Sequence, residues 1–328
     1  MQKVICFGEA LIDLLSDKTA GDTQGHERFT KFAGGAPANV SVALAKLGGN
    51  AYFAGMLGQD MFGQFLSKEL AEQGVKTDYV QFTKQAKTAL AFVSLDQHGE
   101  RTFEFYRPPA ADLCFTVDHF NIRWFDEPGI FHFCSNSLTE TGIYQATEKG
   151  IQLAKKQDWL ISFDVNLRTN LWQPDASPRD MILGLIHHAD VVKFALEELL
   201  FLAKDIKPQQ FIQQLLNNGC QLVLLTNGAE PLCWYTASSS GTITPPAIVM
   251  CDATAAGDAF MGGVLFQLSQ KNIISNDFTT WLSNTLKLES ALNFASQCGA
   301  YAAAHRGAFP SLPNQDTLQD FFKGGARE

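Results

Sequence analysis

The chain has 328 residues, at least twice the usual domain length, so a large core, or one core with an accessory unit, is expected. Hydrophobic residues make up 46% of it and charged residues 18%, which excludes a disordered chain or a coiled coil. Lys and Arg total 25 against 34 Asp and Glu, and the net charge of −9 argues against nucleic acid or anionic membrane as partner, since both need a basic footprint.

From the N-terminus, Val4–Phe7 is an apolar run of buried-strand length. Glu9 and Asp13 follow where a signal peptide would carry its apolar core, so no secretory leader is expected. Ser16–Phe32 is polar, contains glycine, and is expected to add strands to a small sheet. Ala38 to Leu47 reads as a helix, with Val40, Leu44 and Leu47 on one face and Gly48-Gly49 ending it. Ala51–Ala54 is the next strand. Ala89–Leu95 and Thr102–Tyr106 are rich in β-branched and aromatic residues, and Asp96–Glu100 between them contains Gly99, the pattern of an antiparallel hairpin. Further strands are expected at Ile130–Cys134, Leu160–Asp164, Asp190–Phe194 and Leu222–Thr226, with helices such as Thr139–Gln157 and Pro208–Asn218 between them. This alternation predicts an α/β fold, a mostly parallel sheet covered by helices on both faces. The hairpin breaks the alternation. One domain over 1–328 is therefore expected, with a small β-sheet lid built from about 14–32 and 87–111.

The seven cysteines are scattered and include no C-x-x-C pair, so a reducing cytoplasm is the expected location. No uncharged apolar stretch is long enough to cross a bilayer. Asn39-Val-Ser41 matches a glycosylation sequon, which has no meaning without a secretory route. No two of the 26 glycines stand in a G-x-G relation, and G-x-x-x-x-G-K-[ST], H-E-x-x-H and G-x-S-x-G are all missing. Dehydrogenase, P-loop, zincin and serine-hydrolase readings lose their main support.

Two motifs can carry chemistry. Asp252-Ala-Thr254-Ala255-Ala256-Gly257-Asp258-Ala-Phe-Met-Gly-Gly263 places small residues at a helix start, where free N–H groups and the helix dipole suit phosphate. Asp258 then falls in the first turn, placed to take a proton from an attacking hydroxyl. Gly34-Gly35-Ala-Pro37-Ala-Asn39 allows close backbone approach to a ligand and adds one amide donor and acceptor. Taken singly, each is equally a tightly packed helix start.

Taken together, in this order and about two hundred residues apart, the two resemble the paired signatures of the ribokinase or PfkB family of carbohydrate kinases. Gly8-Glu9-Ala-Leu-Ile-Asp13, Thr88-Ala-Leu-Ala-Phe-Val, Phe103-Glu-Phe-Tyr106-Arg107, Asp164-Val-Asn166-Leu-Arg168, Thr226-Asn-Gly228 and Arg306-Gly-Ala extend the resemblance over essentially the whole chain. Within that family the G-E-A-L-I-D, G-G-A-P-A-N-V and F-Y-R segments look most like those of bacterial fructokinases.

The resemblance implies a ribokinase-like three-layer αβα fold and ATP-dependent phosphorylation of a sugar's primary hydroxyl, most like fructose to fructose 6-phosphate. It implies Asp258 as general base, N–H groups of Ala255, Ala256 and Gly257 as an anion hole, and Arg168 on the phosphate side. Asp13, Gly34, Gly35, Asn39 and Asn166 would meet the sugar, with Tyr106 and Arg107 from the lid. Adenine would lie near Thr226, Gly228 and Asn293. Mg²⁺ would enter with ATP, aided through water by Glu198, and a monovalent cation such as K⁺ would sit near Asp252 and Thr254. Partners would be the sugar and MgATP, with a homodimer formed through the lid. The sequence departs from the family pattern at Ala195, where Asn or Ser is usual, at Ala253, where Thr is commoner, and at Ala255, where Gly is commoner. A kinase of the same family for 2-keto-3-deoxygluconate, ribose or a nucleoside stays open, as does a sugar-binding regulator without catalysis.

Overall fold

The computed structural model describes residues 1–19, 25–95, 101–107 and 109–324, so the Asp96–Glu100 turn of the expected hairpin lies outside the described residues. Strand β1 (Lys3–Phe7) leads into β2 (Leu11–Thr19), β3 (Phe29–Gly34), helix α1 (Ala36–Lys46), β4 (Asn50–Gly58), α2 (Met61–Glu72) and β5 (Lys76–Thr83). Next come β6 (Leu90–Leu95), β7 (Arg101–Tyr106), β8 (Gly129–Cys134), α3 (Thr141–Lys155), β9 (Leu160–Asp164) and α4 (Pro178–Ile186). The chain continues through β10 (Val191–Ala195), α5 (Leu196–Ala203), α6 (Pro208–Asn217), β11 (Leu222–Asn227), β12 (Glu230–Tyr235) and β13 (Ser240–Ile243). It closes with α7 (Ala256–Gln270), α8 (Ser275–Leu282), α9 (Thr285–Ala303) and α10 (Gln315–Gly324).

Among the described residues, nine strands form one sheet in the order β13-β12-β11-β10-β9-β8-β1-β4-β5. It is parallel from β11 to β5, and β12 and β13 add an antiparallel edge. Strand parity splits the core in two. Val4 and Cys6 of β1, Val191 of β10 and Leu222 and Leu224 of β11 pack with residues of α1, α2, α7, α8 and α9. Ile5, Phe7, Val192, Phe194 and Val223 pack with residues of α3 to α6. The result is the expected three-layer α/β arrangement. Because β4 and β8 are added on opposite sides of β1, right-handed crossovers put their helices on opposite faces. That reversal opens a crevice beyond the carboxyl ends of the central strands, where ligands of such sheets bind.

The sequence reading missed β5, β12 and β13. The edge strands β5 and β13 carry polar residues between the apolar ones, as in Lys76–Thr83, and β12 offers only the short run 232–235.

A second sheet has the order β3-β2-β6-β7. Strand β2 pairs antiparallel with β3 and parallel with β6, and β6 pairs antiparallel with β7. Register fixes its faces: Asp13, Phe32, Ala91 and Phe105 are aligned on one, and Leu14, Lys31, Phe92 and Glu104 on the other. At the start of β6, the Asp60 carboxylate accepts from the backbone N–H and hydroxyl of Thr88, both at 2.9 Å. At the end of β7, the Arg107 guanidinium is buried and donates to Asp112, to the Asn136 carbonyl and to the Thr139 hydroxyl. Both ends of this arm are thus tied to the large sheet's body.

Candidate active site

The turn from β3 into α1 needs its two glycines. A Cβ on Gly34 would run into the Asp13 carboxylate, and Gly35 has φ 105° with the Glu9 carbonyl only 2.6 Å from where its Cβ would stand. Pro37 sits in the first turn of α1, and Asn39 follows, 6% exposed. Its Nδ2 donates to Asp258 Oδ2 at 2.8 Å, across 219 residues of chain. The apparent sequon is therefore an interior amide.

Asp258 lies in the first turn of α7, buried, with Asn166 Nδ2 at 3.5 Å from its other oxygen. Burial and the neighbouring Asp164 carboxylate push its pKa up to about 7, against the opposing pull of the Asn39 hydrogen bond, Lys193 and Arg168. A carboxyl group poised there exchanges a proton at neutral pH. Ala255 caps the helix in the left-handed region, φ 58°. Of the three N–H groups expected to form the anion hole, that of Ala256 turns back to the Ala253 carbonyl at 3.3 Å. Gly257 and Asp258 occupy first-turn positions whose N–H groups have no intrahelical acceptor.

Facing this helix start are the ends of β9 and β10. Lys193 Nζ is 3.0 Å from Asp164 Oδ1 and 3.2 Å from Oδ2, both residues buried. Burial works against the lysine's charge, and Asp164, Glu198 and Asp258 overcome it, holding its pKa above the usual value. Lys193 and Asp164 were not singled out from sequence as site residues. The signal was available: a lysine in Val191-Val-Lys-Phe-Ala195, an otherwise apolar strand, demands a partner. Glu198, expected at the metal, accepts from the N–H groups of Leu167 at 2.8 Å and Ala195 at 2.7 Å. It clamps the Asp164–Arg168 loop to the start of α5. Since Ala195 contributes its backbone, the missing Asn or Ser side chain leaves this clamp intact. Arg168 is exposed and donates to its neighbour's carbonyl, Leu167 O, at 3.1 Å, yet its charge still reaches Asp164 and Asp258.

The lid residues need correction. Tyr106 pairs with Leu90 and so stands on the face opposite Asp13, 58% exposed against Phe92. Phe105, one residue earlier, shares the Asp13 face. Arg107 does not turn to solvent or toward the sugar pocket; its guanidinium is engaged by Asp112, Asn136 and Thr139. A narrow cleft lies between Asp13, Leu15, Phe32 and Val93 of the small sheet and Thr254, Gly307 and Ala308. Phe103's side chain lies outside the described residues.

Where adenine is expected, Thr226 ends β11 beside Ala195, its hydroxyl on the Phe194 carbonyl, and Gly228 makes the following turn at φ 56°. Asn293 is not gathered with them: it is exposed on α9, its amide donated to Glu289 O. Gly299 is the α9 residue that approaches the α7 start, where a Cβ would lie 3.1 Å from Ala256 O. Asp252 is buried and accepts from the N–H groups of Thr254 and Gly307, both at 2.9 Å. Among the described residues no three His, Cys, Asp or Glu side chains gather as a metal site.

A family model described as pfkB family carbohydrate kinase matches residues 1–315. The chain is 37% identical to fructokinase-1 of Oryza sativa subsp. japonica, over 95% of this chain and 95% of that protein. Its fold superposes on a fructokinase with bound ATP from Xylella fastidiosa with TM-score 0.93 and 41% identity, covering 100% of both chains. A double-mutant fructokinase from Vibrio cholerae O395, in fructose, ADP and potassium ion bound form, gives TM-score 0.85 at 33% identity over 98% of both chains.

Proposed function

The chain belongs to the pfkB family of carbohydrate kinases, and on that premise we propose that it is an ATP-dependent fructokinase, making fructose 6-phosphate and ADP. The observation that carries the reading is Asp258: a buried carboxylate with a pKa pushed up to about 7, hydrogen-bonded by Asn39 in the first turn of a helix whose leading N–H groups lack intrahelical acceptors. The sugar's primary hydroxyl gives its proton to Asp258 as its oxygen bonds the γ-phosphorus, and ADP leaves with the bridging oxygen. Such help from a base contributes about 10²–10⁴ in rate. Gly257 N–H and its neighbours hold the charge of the transferring group, where positioning and electrostatics supply most of the catalysis.

Asn39 orients the base, and Asp13 takes hydroxyls of the sugar. Glu198 and Asp164 are the carboxylates that would hold a nucleotide-borne Mg²⁺, which would offset the charge of the phosphates. Among the described residues no three-residue metal cluster gathers, which suits an ion held mainly by phosphate and water. Asp252 and Thr254 would flank a K⁺ ion. The outer lid face, with Phe29 on Phe92 and Phe92 on Tyr106, is the proposed dimer surface. The reading also keeps the protein in the cytoplasm, in line with seven cysteines, all free.

A coupled ADP-release assay over fructose, ribose, 2-keto-3-deoxygluconate and a nucleoside tests it. Fructose is expected to give the highest kcat/KM. Saturable sugar binding without turnover of any of them would instead identify a regulator.

A further inference from the structure

We propose that Lys193 is a further catalytic residue, whose ammonium binds the terminal phosphoryl group of the nucleotide beside the Gly257 N–H; the proposal rests on the phosphoryl-transfer reading above. Parity puts Lys193 in line with Val191, on the face of the sheet that packs against α7. A lysine in that layer loses its hydration and is tolerated only with a partner. Asp164 is that partner, with oxygens at 3.0 and 3.2 Å. The pair by itself does not account for its presence, because two apolar residues of similar shape would be at least as stable.

Two observations point beyond the pair, toward a ligand. Lys193 Nζ stands 3.2 Å from the place a Cβ of residue 257 would occupy. That place is two bonds from the Gly257 nitrogen, so Nζ and the N–H lie within about 6 Å of each other. One phosphoryl oxygen spans such a gap, with a hydrogen bond of about 2.9 Å on either side. Glycine at 257 leaves room for the ammonium, and any side chain there would press on it. The second observation is charge. Asp164, Glu198 and Asp258 bring three carboxylates to the same end of the sheet, and all three act on Lys193. An incoming polyphosphate would meet an anionic wall without a cation set among them. An ammonium has three N–H donors, of which one is donated to Asp164 Oδ2, while Oδ1 stands at ion-pair distance without a hydrogen bond. In the reaction Lys193 keeps its proton and donates a hydrogen bond to a non-bridging oxygen as the bridging bond breaks.

The test uses Lys193→Met and Lys193→Arg in the full chain, with binding of MgATP and MgADP measured by calorimetry in the absence of sugar, followed by kcat with fructose. Lys193→Met is expected to weaken MgATP about tenfold and MgADP less than about threefold, to lower kcat about 10²-fold or more, and to leave the sugar KM within about threefold. Lys193→Arg, which keeps the charge, is expected to recover part of the loss. Lys193→Met combined with Asp164→Asn removes both charges, so no buried carboxylate is left unpaired; it should unfold close to the wild-type temperature and still bind MgATP no better than Lys193→Met. Equal weakening of both nucleotides, or kcat within about tenfold of wild type, overturns the proposal. The nucleotide comparison needs no turnover, so it remains decisive for Lys193 even where the fructose reading itself fails.

Discussion

At the end of the nine-stranded sheet, Asp258, Lys193, Asp164 and Glu198 are buried and cross-linked by hydrogen bonds or an ion pair from neighbouring elements. On the four-stranded sheet, Asp13 and Phe105 share a half-buried face while Tyr106 stands exposed on the other. The first region fixes each group through several partners. In the second, alternation along the strand alone decides which side chain meets a ligand, so a step of one residue reverses the role. Rate is therefore expected to depend on the first region and sugar affinity on the second.

The largest expected effect is on the base. Asp258→Asn should lower kcat by about 10²–10⁴ with little change in sugar KM. In the wild type, kcat/KM should rise with pH through about 7 as Asp258 ionises. Stability should run the other way. The folded-state pKa lies above the unfolded one, so the folded protein favours the protonated acid, and that contribution is lost as pH rises from about 4 through about 7. Asp258→Asn should thus gain on wild type by a few kcal/mol in urea unfolding at pH 8, and by much less at pH 5. An equal difference at both pH values would show that burial does not strain this carboxylate.

Asp13→Ala comes next, with sugar KM raised about tenfold or more, as for loss of a charged hydrogen bond, and kcat changed less. An unchanged KM would move the sugar elsewhere. Phe105→Ala should raise sugar KM several-fold, whereas Tyr106→Ala should leave it within about twofold. The opposite pattern would refute the assignment of faces. The smallest effect is at Ala255, where the left-handed conformation favours glycine; Ala255→Gly should raise stability by at most about 1 kcal/mol, and a lowered urea midpoint would contradict the strain.

The alternation of apolar runs and helices foretold the layered body, because strands buried on both faces leave an uninterrupted hydrophobic record. The helix starts around Gly35 and Gly257 were legible, since small residues gathered there have few uses, and the structure brings Asn39 of one to Asp258 of the other. Tyr106 stands on the face opposite Asp13, which the strand's sequence could not tell because it gives the alternation without saying which phase faces inward. Only the pairing of Ala91 with Phe105 and Asp13 settles it. Lys193 escaped because a search for motifs passes over a single charge in an apolar strand, and its partner Asp164 is 29 residues away. Asn293 was placed by its nearness in sequence to the right stretch of α9, and helical geometry turned it outward.

The small sheet joins its two arms through the β2–β6 pairing, a parallel contact between segments about seventy residues apart in sequence. Neither arm can swing without breaking that seam, so the sheet must travel as a stiff plate. Its pivots are then the points where chain enters and leaves it: residues 8–10 and the glycine pair before α1 on one side, Thr88 and Arg107 on the other. Each of the latter is bolted to the body by Asp60 or by Asp112 and Asn136. The Gly34-Gly35 pivot lies one turn of helix from Asn39, which donates to Asp258. A tilt of the plate would turn α1, and Asn39 would carry that turn to Asp258, so engaging a ligand on the plate and aiming this carboxylate would become one mechanical event.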